Sequence, residues 1–331
     1  MADTGTVTLD HLLQEHPTNP VHNPKYVTQS NKAWAQRYPP IKNLIVHTTI
    51  EKDNRTTANF DRAFLPLDSD DTILRTKVEA RRPNDRAWRL ECEADCELWF
   101  HTEISNVVLA ACNQYPLVTQ SSHIKPPREN NISEAVDSMY CVKDGQTKTV
   151  LAIGEMKRNP VKPQDWQAGD ISSSPNQKNL SKELRGYAAK YRCPQVYCFD
   201  GETLLLLQLQ AIREADIEDA NCRVDYWVIP RKKSYNTFRE ALCRLLVQGL
   251  RRLQGNRAQQ HPTLGRLESP LRQFYNGRPA WRTPDGLLSA EHPGGYRRVV
   301  DVNTGAMKWV HQEDPDFAVW ETDSGLWEYQ G

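Results

Sequence analysis

Apolar positions recur along this chain with two different periods, and the switches between them outline its elements. Between residues 91 and 113, Phe100, Ile104, Val107, Val108 and Ala111 fall on one helical face. Glu91, Glu93, Asp95 and Glu97 crowd the first turns, where the helix dipole favours carboxylates, and Pro116 stops the pattern. The period then shortens to two. Val136–Val142 reads as a strand, and Thr149–Lys157 as another whose first half is apolar on both faces, hence central and covered by helices. Asp144-Gly145 marks a hairpin connection over Lys143–Lys148. A Pro/Ser/Gly/Asp-rich loop, Asn159–Asn176, leads to a second amphipathic helix marked by Leu180, Leu184, Tyr187, Ala188 and Tyr191. Gln195–Phe199 and Leu204–Leu209 follow as strands about Asp200-Gly201, and Tyr226–Ile229 reads as one more.

Phe238, Leu242, Leu245, Leu246, Leu250 and Leu253 define a third helix, entered at Asn236/Thr237 and closed near Gly255. Upstream, Asn43–Thr49 predicts a strand and Phe64–Leu67 an apolar stretch. The tail alternates again: Arg297–Val302 with Met307–His311 about Asn303-Thr304-Gly305, then Phe317–Glu321 with Leu326–Tyr329 about Asp323-Ser324-Gly325. Trp309, Trp320 and Trp327 on these hairpins suit a small sheet stapled by tryptophans. The expected organisation is a polar, Pro/Asn-rich, loosely ordered arm over 1–40, an α/β domain over 41–255, and a Pro/Gly-rich linker with a β-rich extension over 256–331.

Composition narrows the classes. The 331 residues carry 42 Lys+Arg against 42 Asp+Glu, and the mean hydropathy is −0.70. No run approaches the ~20 apolar residues of a spanning helix, which argues against a membrane protein. The N-terminus lacks a basic segment followed by an apolar one, so no secretory signal is expected. Eight cysteines are dispersed with no C-x-x-C pair, as suits reduced thiols in a nuclear or cytoplasmic protein. Cys92, Cys96, His101 and Cys112 share one predicted helix, which cannot wrap a tetrahedral ion, so they read as packing residues. The zero net charge hides a pattern. Residues 148–192 sum to +5, residues 223–257 to +7, and residues 308–331 to −5. The acidic tail is therefore a candidate cover for a basic face.

The candidate chemistry lies in the middle. Side chains alternate along a strand, so Glu155 and Lys157 share a face and Met156 points away. A hairpin-like pairing would bring Asp137 beside Glu155. Two carboxylates and an ammonium at a sheet end suit a hard divalent ion, Mg²⁺ or Mn²⁺. Such an ion polarises a phosphodiester and acidifies a bound water. The lysine would position or deprotonate the nucleophile, or offset charge on phosphorus. The plainer alternative is an exposed ion pair at a strand end, worth little.

Val136-Asp137 followed by Gly154-Glu155-Met156-Lys157 resembles the signature of the PD-(D/E)XK nuclease superfamily, and in particular its fungal nuclease-like domains. The resemblance covers about residues 91–210. It implies a three-layer α/β/α restriction-endonuclease-like core of αβββαβ order with a mixed sheet, here with an added helical segment and C-terminal β-hairpins. By position, Asp137 and Glu155 would be metal ligands and Lys157 the catalytic lysine. The next helix carries Glu183 and Tyr187 where some branches place Q-x-x-x-Y, with Glu183 in place of the Gln. A first-helix acid sometimes assists the metal, and the sequence does not choose between Glu97 and Glu103. Lys182, Arg185, Arg231, Lys232, Lys233 and Arg244 are candidates for backbone phosphates. The expectation is a Mg²⁺- or Mn²⁺-dependent nuclease acting on nucleic acid, DNA first. The alternative is a catalytically idle nuclease fold that binds nucleic acid or protein. No oligomer signal is visible.

Overall fold

The computed structural model describes residues 7–67, 75–112, 117–126, 134–144, 147–301, 306–314 and 316–322. Among these, α1 (Leu9–Gln14) precedes β1 (Leu44–Val46) and α2, which starts at Glu93–Phe100 and continues through a π turn at His101–Ser105 to Cys112. Then follow β2 (Val118–Ser121), β3 (Ser138–Asp144), β4 (Thr147–Met156), α3 (Pro163–Gln167), α4 (Pro175–Tyr191), β5 (Gln195–Phe199), β6 (Thr203–Leu209), β7 (Val224–Pro230) and α5 (Phe238–Arg257). The seven strands form one mixed sheet ordered β1-β7-β6-β5-β4-β3-β2. β4 pairs antiparallel with β3 and parallel with β5, the return made by α4. The chain is thus an α/β protein.

Strand alternation divides the core into two layers. Tyr197 and Phe199 of β5, with Leu204 and Leu206 of β6, pack with α1, α2 and α5. Their neighbours Val196, Cys198, Leu205 and Leu207 pack on the other side with Leu180 and Leu184 of α4. A bulge between Val150 and Ala152 interrupts the β3–β4 ladder, and Arg252 of α5 donates to the Val150 and Leu151 carbonyls there. This is a physical use for a bulge: it turns carbonyls out of the ladder, and a buried donor satisfies them.

Several expectations change. β2 escaped the pattern because it is a short edge strand of which only Val118 is buried. Asn43–Thr49 divides into β1 and Thr48–Ile50, which pairs with Thr56–Ala58. The loop before α4 contains α3, whose Trp166 is buried. The arm is not loosely ordered over its described part. Leu9, Leu12 and Leu13 are buried in the core, and Val21–His22 pairs with Trp88–Arg89. The basic helix is corrected too: α5 is buried almost all round, and its arginines serve carbonyls, Arg239 donating to Glu103 O at 2.8 Å. The Asp144-Gly145 and Asn303–Gly305 turns, the Pro116 stop and the Leu326–Tyr329 strand lie wholly or partly outside the described residues.

Among the described residues the C-terminal extension forms three small sheets, and in the last of them Met307–His311 pairs with both Tyr296–Val300 and Ala318–Trp320. Trp281 and Trp309 meet edge-on at 5.6 Å. Glu321 is buried between Arg272 and Arg298, so this acid of the tail is committed internally and does not face a basic surface.

Candidate active site

The register explains how the site is assembled. Ile153 and Met139 are cross-strand partners, and both face the α4 layer. Two residues on from Ile153 comes Glu155, and two residues back from Met139 comes Asp137, so both turn to the same face. Met156 enters the opposite layer. Gly154 is obligatory at this step, since a Cβ there would collide with the Tyr197 ring. Asp137 sits just before β3 begins, and its Oδ2 accepts the Met156 N–H at 2.6 Å. α4 supplies Glu183 and Tyr187, one turn apart on the side facing the sheet.

At the centre, Lys157 Nζ donates to Glu155 Oε1 and lies 3.1 Å from Glu183 Oε1. A second ammonium joins from the N-terminal arm: Lys32 Nζ is 2.8 Å from Glu155 Oε1, 3.0 Å from Glu183 Oε1 and 2.7 Å from the Tyr187 hydroxyl. Two lysines thus meet two glutamates in a buried cluster, which rules out the plain reading of an exposed strand-end pair. Among the described residues, no hydrogen bond reaches the buried Oε2 of Glu155 or of Glu183.

The electrostatics follow from that crowding. Burial opposes ionisation of Glu155, but Lys157 and Lys32 outweigh it and hold its pKa below the ordinary value. Burial also opposes the charge on Lys157, yet Glu155 and Glu183 raise its pKa well above the usual lysine range. Lys157 is therefore an ammonium at neutral pH. Burial and the Glu155 charge push Glu183 up. Asp137 has no lysine in direct contact, and burial together with Glu155 pushes its pKa up to about 8.

Of the two first-helix acids, Glu97 reaches the site. His123 Nε2 is 3.0 Å from Glu97, and His123 Nδ1 is 3.7 Å from Asp137. Glu103 does not reach it. It is buried on the other face of the sheet, where Asn19 and the Trp88 indole each donate to its Oε1 at 2.7 Å. Two phosphate candidates are also corrected. Arg185 is fully buried and donates to the Ile217 and Asp219 carbonyls. Arg244 is buried against Asp61, the Leu65 carbonyl and the Phe60 ring. Lys182 stays near the surface, donating to Gln36 at 2.9 Å. Lys232 and Lys233 are exposed, and Arg231 pairs with Glu202.

Sequence reasoning missed Lys32, His123 and Arg158. Arg158 is fully buried, and its guanidinium holds the Asn23 side chain and the Pro24 carbonyl. With the Thr28 N–H donating to the Arg158 carbonyl at 2.8 Å, it straps the arm across the exit of β4. Lys32 lay in a stretch without apolar period. Its one signal was the aromatic pair Trp34 and Tyr38, four residues apart in a polar segment.

The donor chemistry fits a hard cation in part. Asp137 and Glu155 offer carboxylate oxygens on one face, one of them without a partner, and the raised Asp137 pKa marks a place where added positive charge is favourable. Among the described residues, no group of three or more His, Cys, Asp or Glu side chains is disposed to hold a metal ion, so water or main-chain oxygen would have to complete the shell. No family model, curated protein or solved structure matches the chain. No helix among the described residues is long and apolar enough to cross a membrane.

Proposed function

We propose that this protein is a metal-dependent nuclease of PD-(D/E)XK type, hydrolysing phosphodiester bonds of nucleic acid, with DNA as the substrate. The observation that carries this reading is the convergence of Asp137, Glu155 and Lys157 on one face at the end of β4. They stand in the order α2-β2-β3-β4-α3-α4-β5, which, apart from the short α3, agrees with the αβββαβ core of that superfamily. Asp137 and Glu155 would hold Mg²⁺ or Mn²⁺. When bound, such an ion polarises the phosphodiester and acidifies a water. Lys157 keeps its proton, so its work is to stabilise negative charge at phosphorus rather than to act as a base. Tyr187, its pKa raised by burial and by Glu155, stays a neutral hydroxyl.

The substrate class rests on the same end of the sheet. β7 runs parallel to β4, so its exit at Pro230 lies on the same edge as Lys157, three strands away and roughly 14 Å across. A cleft of about 540 Å³ opens there, lined by Arg55, Arg231, Lys232 and Lys233. Among the described residues neither Lys232 nor Lys233 has an ion-pair partner, which suits backbone phosphates flanking the reacting one.

The test incubates the full chain and Lys157→Ala with linear, nicked and single-stranded DNA in Mg²⁺ or Mn²⁺. Cleavage by the native chain and none by the variant is expected. A second reading, a catalytically idle fold that binds nucleic acid, is favoured by one fact: Lys32 already supplies a cation to Glu155. Retardation of DNA without cleavage by either protein would select it. Neither cleavage nor retardation would overturn both.

A further inference from the structure

We propose that Lys32 is a resident cation gate: its ammonium neutralises Glu155 at Oε1, beside the unpartnered Oε2 that a divalent ion would take, and it swings out when that ion binds. The inference rests on reading Asp137 and Glu155 as a metal site.

Charge supports it first. With Lys32 in place, two ammonium groups balance Glu155 and Glu183, and an added divalent ion would leave a buried excess of positive charge. With Lys32 withdrawn, Glu155 and Glu183 face the single Lys157 ammonium, and the unmatched carboxylate charge beside Asp137 is one a divalent ion can take up. Lys157 cannot serve as the gate. Its side chain is 4% exposed, whereas that of Lys32 is 36% exposed and already open to solvent. Lysine carries its charge on a flexible four-carbon stem, so withdrawal needs only rotamer changes.

The arm is built to hold Lys32 in place while leaving the side chain mobile. Gly186 of α4 permits close approach, for a Cβ there would collide with the Trp34 and Tyr38 rings. Trp34 packs edge-on against Tyr187 at 4.9 Å, and the Ser30 N–H donates to Asn176 at 3.1 Å. These contacts anchor the backbone on both sides of residue 32. None of them involves the Lys32 ammonium, so the arm stays docked when the ammonium leaves.

Two measurements on the full chain test the gate. In the first, Mn²⁺ affinity is read by calorimetry or electron paramagnetic resonance for the native protein, Lys32→Met, Lys32→Gln and Lys32→Met/Glu155→Gln. The neutral single variants should bind Mn²⁺ at least about tenfold more tightly than the native chain, and the added Glu155→Gln should remove that gain. Equal affinity in native and neutral variants overturns the gate while leaving the metal site standing. Binding by none of them removes the metal site itself. The second measurement uses only the native chain. Lys32 should be methylated severalfold faster with saturating Mn²⁺ than without it, while exposed Lys232 is unchanged. An unaltered Lys32 rate overturns the proposal even if a variant fails to fold.

Discussion

Around Glu321, two guanidiniums close on one carboxylate; around Glu155 and Glu183, two ammonium groups close on two. Both clusters are buried, yet they are finished differently. At Glu321, Arg298 binds bidentately, with Nε at 2.7 Å and Nη2 at 2.9 Å, and Arg272 donates to Oε1 as well. Both oxygens are filled, and Arg272 spends its other donors on the Gly277 and Gln259 carbonyls. At Glu155 both ammonium groups crowd onto Oε1 while Oε2 receives nothing from the described residues. A structural ion cluster satisfies its carboxylate; an unfilled buried oxygen beside a carboxylate of raised pKa marks a place for another partner. Arginine's rigid fork suits the first task and lysine's compact, flexible charge the second.

The sharpest way to break the comparison is to neutralise each carboxylate. Glu321→Gln leaves two buried guanidiniums without a counter-charge and should cost about 3–5 kcal/mol in urea unfolding. Glu155→Gln should cost about 1–3 kcal/mol, because Glu183 remains and Lys32 can turn to solvent. Equal losses would mean that the Glu155 cluster is structural in the same sense as the Glu321 one.

How far these clusters were legible in the sequence depends on where their residues lie. Glu155 and Lys157 were readable because a strand fixes side chains by period, and Asp137 because β3 pairs with β4 in the inferred hairpin sense. β5 was found at its observed bounds, Gln195–Phe199. Lys32 was not readable, because the arm owes its order to tertiary contacts: Arg158, Asn176 and the space at Gly186. The arginines of α5 misled for a related reason. Charge counting treats a basic helix as a surface, whereas Arg239, Arg244 and Arg252 bury their guanidiniums on carbonyls and an acid from distant segments. The Glu97–Glu103 choice needed the tertiary structure, since His123 links Glu97 to Asp137 whereas Asn19 and Trp88 hold Glu103.

The clusters also separate by pH. Burial opposes ionisation of Glu321, but Arg298 and Arg272 outweigh it and hold its pKa below the ordinary value. Its contribution is complete above the unfolded carboxylate range and is lost as pH falls through the lower folded value. Asp137 has the opposite sign. Its folded pKa of about 8 exceeds its unfolded value, so between the two the native state holds a proton that the unfolded state has released. Stability then declines as pH rises from about 4 to 8. Asp137→Asn should flatten that decline in a pH series of urea midpoints and leave the acid limb unchanged. An unchanged decline would place its origin elsewhere.

The smallest expected effect on stability, and the cleanest on binding, divides the basic residues by burial. Lys232 and Lys233 stand exposed on the cleft at the exit of β7, while Arg244 lies buried against Asp61 and Phe60. Counterion release counts only cations that meet phosphate. Lys232→Ala/Lys233→Ala should therefore leave the melting temperature unchanged and reduce the slope of log affinity for DNA against log salt by about 1–2. Arg244→Leu should do the reverse, lowering the melting temperature and leaving that slope alone. If the lysine pair leaves the slope unchanged, the cleft does not hold the nucleic-acid backbone. The phosphates beside the reacting bond would then have to be held elsewhere, with the near-surface Lys182 beside Gln36 of the arm as the next candidate.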